Sequence, residues 1–92
     1  MDRRSHIEAR LRAELGASHV DVEDESHLHA GHAGAASGGG HFRVAIVSDR
    51  FAGLSRVARQ RLVYDALAAL MKREIHALAM QTFTPEEWAA RR

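Results

Sequence analysis

Ile7, Leu11 and Leu15 recur at intervals of four, so one face of the segment they span is apolar and the rest is charged or small. That spacing predicts a helix lying on a core. Ser5-His6-Ile7-Glu8 has the residue types of a capping box at its start, and Gly16 is a natural stop at its end. The period then changes from four to two. Val20 and Val22 alternate with Asp21 and Glu23, while Phe42, Val44 and Ile46 alternate with Arg43, Ala45 and Val47. Each run predicts a strand with one buried face, and two strands joined by a loop pair most simply antiparallel.

A turn over 49–53 leads into a helix from Ser55, its expected N-cap, with Val57, Leu62, Val63, Ala66, Leu67, Leu70 and Met71 as the apolar stripe. Residues 75–80 are continuously apolar apart from His76 and predict a third strand. Thr84-Pro85-Glu86-Glu87 is a second capping box, with Pro at the first helical position of a short terminal helix that holds Trp88. A strand–helix–strand connection over 42–80 favours a right-handed crossover and one parallel pairing. The pattern therefore predicts an α+β fold in the order α-β-β-α-β-α. Its three-stranded mixed sheet has helices packed on one face, and a single domain covers residues 1–92.

Between the first two strands, residues 26–40 are rich in Gly, Ala and His and cannot bury a core. This is a long loop for a chain of 92 residues, and long loops in small domains are usually functional or mobile. With 46% apolar and 27% charged residues the chain is an ordinary globular sequence, and a net charge of +1 sets up no strong field toward nucleic acid or anionic lipid. No run is long and apolar enough for a membrane span or a secretion signal, so the cytoplasm is the expected compartment and no membrane partner is expected.

The absence of cysteine matters most for chemistry. The chain can offer imidazole to a soft metal but no thiolate, so any iron–sulfur cluster it handles needs sulfur ligands from elsewhere. Among its histidines, His27, His29 and His32 sit in the loop, His41 opens a strand, and His76 interrupts an apolar strand where burial is expected. The spacing His27-x-His29-x-x-His32 can bring two imidazoles to one ion, but it is not a structural zinc pattern, and on its own it reads first as a solvated loop that picks up metal incidentally. His76 is either a core-edge histidine satisfied by the backbone or a ligand held more rigidly than any loop residue. Arg50, Arg56, Arg59 and Arg61 surround the turn at 51–55 and read either as a phosphate-contacting edge or as a solvated helix face. Catalysis lacks support: there is no Gly-x-Ser-x-Gly elbow, and Gly38-Gly39-Gly40 lacks the Lys-Ser/Thr of a phosphate loop. The chain is expected not to be an enzyme.

Seven short motifs occur in order: Glu25-Ser26; His29-Ala30-Gly31-His32; His41-Phe42 with Val47-Ser48; Phe51-x-Gly53-x-Ser55; Arg59-x-Arg61-Leu62-Val63-Tyr64; Ile75-His76-Ala77-Leu78; and Thr84-Pro85-Glu86. Together they resemble the BolA family over nearly the whole chain. The resemblance implies an α-β-β-α-α-β core, with a further terminal helix, like the second class of KH domains. An extra helical turn is then expected within 51–57. It also implies an adaptor that pairs with a monothiol glutaredoxin and shares a [2Fe-2S] cluster in iron–sulfur maturation or iron regulation. The glutaredoxin and glutathione would supply thiolates. His76 would supply one imidazole and His29 a second, with His27 and His32 as neighbouring competitors, and the isolated chain would hold no cluster. Apart from the resemblance, an open edge strand of the predicted sheet leaves the chain alone as a monomer or weak homodimer. The alternative implied by the family is a DNA-binding regulator using Arg50, Arg56, Arg59 and Arg61. Two departures stand out. Gln60 takes the place of a histidine common in the family, and the loop over 26–40 is richer in Gly and Ala than in many relatives; for the DNA-binding alternative, Gly53-Leu54-Ser55-Arg56 also lacks the second glycine of a KH clamp.

Overall fold

The computed structural model describes residues 2–26 and 40–91. Helix α1 (Arg3–Leu15) is followed by strands β1 (His19–Asp24) and β2 (Gly40–Val47). A 3-10 turn (Asp49–Phe51) leads to helix α2 (Arg56–Ala66) and the short α3 (Ala68–Met71). Strand β3 (Ile75–Phe83) and helix α4 (Pro85–Ala90) complete the fold. The sheet order is β1-β2-β3, with β1 antiparallel and β3 parallel to the central β2. The mixed α+β sheet predicted from the alternation and the crossover is therefore present.

Local chemistry accounts for the boundaries, with three shifts from the sequence reading. Helix α1 is capped by Asp2, whose carboxylate accepts from the Ser5 N–H at 2.8 Å, and not by Ser5. That hydrogen bond holds the Asp2 carboxyl below its usual range. Gly16 ends the helix in the left-handed region at φ 59°, as its sequence position suggested. The extra turn falls at Asp49–Phe51, upstream of most of the 51–57 window, because buried Ser48 caps it through its Oγ. The long helix breaks at Leu67, so α3 is a separate single turn. Ser55 caps α2, and Thr84 with Glu87 forms the capping box of α4.

One core joins both helices to one face of the sheet. Ile7, Leu11 and Leu15 of α1 and Val63, Ala66 and Leu67 from α2 and its end pack on Val20, Phe42, Val44, Ile46 and Ile75, with Phe51 from the turn. The Ser48 hydroxyl donates to the Leu15 carbonyl at 2.6 Å, tying the end of β2 to the end of α1. Helix α4 does something else. Trp88 lies 4.7 Å from the His19 ring and 5.2 Å from Phe83, between centroids. His19 and Phe83 both pair with Val47, which is buried yet lies outside the main core cluster. The terminal helix thus caps a second, smaller apolar row on the face opposite α1 and α2.

Candidate functional site

The histidine pair at one end of the sheet is built by a bulge. Leu78, Met80 and Thr82 pair with Phe42, Val44 and Ile46, whose side chains face the core. Counting back by twos from Leu78 puts His76 on that same buried face, and this is why the sequence predicts burial. The ladder, however, slips between Gly40 and His41: Gly40 pairs with Ile75, and His41 pairs with Ala77. His76 is the extra residue. A bulge of one residue reverses the parity of everything before it. Ile75 therefore enters the core at 2% exposure and His76 is turned out to solvent, which corrects the expectation of burial.

The same slip sets His76 beside His41, ring centroids 5.2 Å apart and planes inclined by 44°. The His41 backbone is fixed on both sides. Its N–H donates to Ser26 Oγ at 3.1 Å and its carbonyl accepts from the Glu25 N–H at 2.7 Å. On the other side the Gly40 N–H donates to the Glu74 carbonyl at 3.0 Å. His41 was visible in the sequence only as a strand-opening residue. Its place next to His76 depends on a register slip between two strands far apart in the chain, and no local pattern announces that.

His27, His29 and His32 lie outside the described residues, as do residues 27–39 of the predicted loop. Among the described residues no three His, Asp or Glu side chains converge as a metal-ligating group.

The four arginines are not one patch. Arg59 is drawn inward, its side chain 13% exposed, and donates to both oxygens of Glu87 at 2.7 and 3.2 Å, to the Leu54 carbonyl at 3.1 Å and to the Thr82 carbonyl at 3.5 Å. Its guanidinium sits 6.0 Å from the Phe51 ring centroid. It ties the turn, β3 and α4 together. Arg50 donates to the Glu14 carbonyl at 3.3 Å, at the end of α1. Arg56 and Arg61 stand exposed on α2, after a loop that turns at Gly53 with φ 74°.

The family model for BolA-like proteins matches residues 11–87. The chain belongs to the BolA family. It is 42% identical over 85 residues, 92% of this chain and 78% of the relative, to the Escherichia coli protein called DNA-binding transcriptional regulator BolA. Among solved structures it is similar to a bol-like protein from Babesia bovis, at a TM-score of 0.81 and 40% identity, covering 99% of this chain and 94% of that one. It is equally similar in fold to the BolA domain of SufE1 from Arabidopsis thaliana, at a TM-score of 0.81 and 42% identity, covering 95% and 96%. These are BolA-fold structures, so the architecture and the family agree. No helix among the described residues of this BolA-family chain is long and apolar enough to cross a membrane.

Proposed function

We propose that this BolA-family chain is a non-enzymatic adaptor that pairs with a monothiol glutaredoxin and ligates a shared [2Fe-2S] cluster through imidazole. The observation that carries the reading is the bulge that turns His76 into solvent beside His41. An exposed imidazole on a hydrogen-bonded strand has little ordering entropy to lose when it binds iron. Imidazole is a competent cluster ligand, since it replaces thiolate on one iron of Rieske centres. The chain has no cysteine, so in this reading the sulfur ligands come from the glutaredoxin and from glutathione. His76 is the principal ligand and His29 the second, with His27 and His32 as substitutes. The expected compartment remains the cytoplasm.

The test uses the whole chain. Cluster-loaded glutaredoxin with glutathione is mixed with it, and visible circular dichroism is followed. A new spectrum at one-to-one stoichiometry is the expected result. A spectrum that stays that of the glutaredoxin homodimer overturns the proposal.

A second reading, nucleic-acid binding, is favoured by the name of the Escherichia coli relative and by exposed Arg56 and Arg61 beside the Gly53 turn. In this reading the loop and the start of α2 contact phosphates, with Arg50 and Arg59 holding that region in place. Binding of a duplex that does not weaken with added salt counts against it.

A further inference from the structure

The two edges of the sheet are guarded very differently. β1 has six residues, His19–Asp24, and three of them are acidic. Like charges on an edge repel a second strand, and short charged edges are a standard protection against pairing. β3 has nine residues, Ile-His-Ala-Leu-Ala-Met-Gln-Thr-Phe, with no charge and no proline. Its only irregularity is the bulge at His76, at one end.

Hydrogen bonding shows which groups the β3 edge offers. The Phe83 carbonyl accepts from the Ser48 N–H at 3.0 Å and so points toward β2. Amide directions alternate along a strand. The N–H and carbonyl groups of Thr82, Met80 and Leu78 therefore point outward, and among the described residues no strand pairs there. The Thr82 carbonyl is touched by Arg59 at 3.5 Å, whereas Met80 and Leu78 remain open to a partner strand.

Helix α2 overhangs this edge. Leu62, Asp65 and Ala66 share a cleft with Glu14 and Leu15 of α1, so that flank faces inward across the helix layer. Arg56 and Gln60, on the opposite flank, line a cleft of about 160 Å³ with residues 80–83 of β3. Val57 and Tyr64 lie on the Gln60 side of the helix at helical spacing. Among the described residues they are the large apolar side chains most open to water, at 57% and 42% exposure.

We infer that the outer edge of β3 pairs antiparallel with β3 of a second copy of this chain, joining the two sheets into one. The sequence is self-complementary in that orientation. With the two-fold axis at Ala79, Leu78 of each copy exchanges N–H···O bonds with Met80 of the other, the two residues whose outward-pointing amides no side chain touches among the described residues. On the opposite face Ala79 meets Ala79, where the small, exposed side chains leave room for a close non-hydrogen-bonded pair. Lys72 and Arg73 stand exposed before β3, and Glu86 stands exposed in the first turn of α4 after it. The same axis brings Lys72 of each copy toward Glu86 of its mate. A second copy is thus matched in hydrogen bonding and in side-chain size at the axis, and the two-fold sets the exposed Val57–Tyr64 stripes of both copies on the same face of the joined sheet. This pairing is independent of cluster or nucleic-acid binding.

The test is sedimentation velocity from micromolar to millimolar concentration. The wild-type chain should pass from monomer to dimer. Ala79→Lys and Ala79→Glu each put like charges directly opposite at the axis, on an exposed position that leaves the monomer fold alone. Each should stay monomeric, and an equimolar mixture of the two should dimerise. In hydrogen exchange the Leu78 and Met80 amides should gain protection as the wild type dimerises. A wild type that stays monomeric, or a dimer that survives either charge, overturns the inference. Protection of those two amides that appears only when glutaredoxin or an oligonucleotide is added gives the edge to that partner and also overturns it.

Discussion

Arg59 grips Glu87 with both terminal guanidinium nitrogens, at 2.7 and 3.2 Å, and the same arginine reaches the Leu54 and Thr82 carbonyls. One side chain thereby joins the loop after the 3-10 turn, the end of β3 and the first turn of α4. Glu87 in turn accepts from the Thr84 N–H at 2.8 Å, so the capping box and the ion pair share one carboxylate.

Acid should loosen this joint in a defined window. The Arg59 hydrogen bonds, and after them the Thr84 N–H, push the Glu87 carboxyl down from 4.5 to about 2. Between those values the unfolded chain binds a proton that the folded chain does not, so stability rises with pH there. The contribution is complete above the unfolded value of 4.5 and is lost as pH falls toward 2. Thermal unfolding of the wild type should therefore drop more steeply over that interval than that of Glu87→Gln. Parallel profiles for the two proteins would mean that the carboxylate is no better held in the fold than in the open chain.

Gly40 is required for lack of space, not for a special backbone angle. A Cβ built there lies 2.5 Å from Phe42 Cε2, 2.9 Å from Phe42 Cζ and 3.0 Å from Ser26 Oγ. The Phe42 ring is fixed in the core and cannot yield freely. Gly40→Ala should cost about 1–3 kcal/mol in urea unfolding, the usual range for overpacking. Phe42→Leu removes the two ring atoms in the way, so the double variant should be clearly more stable than the sum of the single losses. Strict additivity would show that the clash is relieved by backbone movement instead.

Much of this fold was legible from periodicity. The intervals of four in α1, the alternation in β1 and β2 and the parallel crossover all appear as the residues predicted, because each is set by which side chains must be buried. Ser55, Gly16 and the Thr84–Glu87 box acted locally and were equally readable. The Asp2 cap was missed since Ser5 and Glu8 offered a better-looking box one turn on. His76 was recognised as a candidate ligand by type and motif, yet its exposure and its neighbour His41 were hidden. Both depend on a bulge in a pairing between residues some 35 apart in the chain. The division of labour among the arginines was hidden for the same reason, as the partner of Arg59 lies in α4.

The nucleic-acid reading makes its own quantitative demand on those arginines. A contact to one phosphate contributes about −0.9 to the slope of log affinity against log salt on duplex DNA. Arg56 and Arg61 are exposed, whereas Arg59 is committed to Glu87. Arg56→Ala and Arg61→Ala should each flatten the slope by about 1 with unfolding unchanged. Arg59→Ala should lower the unfolding midpoint, since it releases α4 from the turn. A salt slope that responds to Arg59 alone would exclude the α2 surface as the phosphate contact.

The ranking of the histidine ligands can be separated from the fold. His76 is exposed, so His76→Ala should change unfolding by no more than about 0.5 kcal/mol, as for other surface positions. In the mixed complex with a cluster-loaded glutaredoxin, the same change should abolish the visible dichroism of the shared cluster. Single changes at His27, His29 or His32 should weaken it only, because neighbouring imidazoles in that segment can substitute for one another. The triple change should weaken it further. His41→Ala removes the ring packed 5.2 Å from His76 and should broaden the spectrum by freeing that imidazole to take more than one orientation. A His76→Ala protein that keeps the wild-type spectrum, while His29→Ala loses it, would move the principal ligand from the strand to the loop.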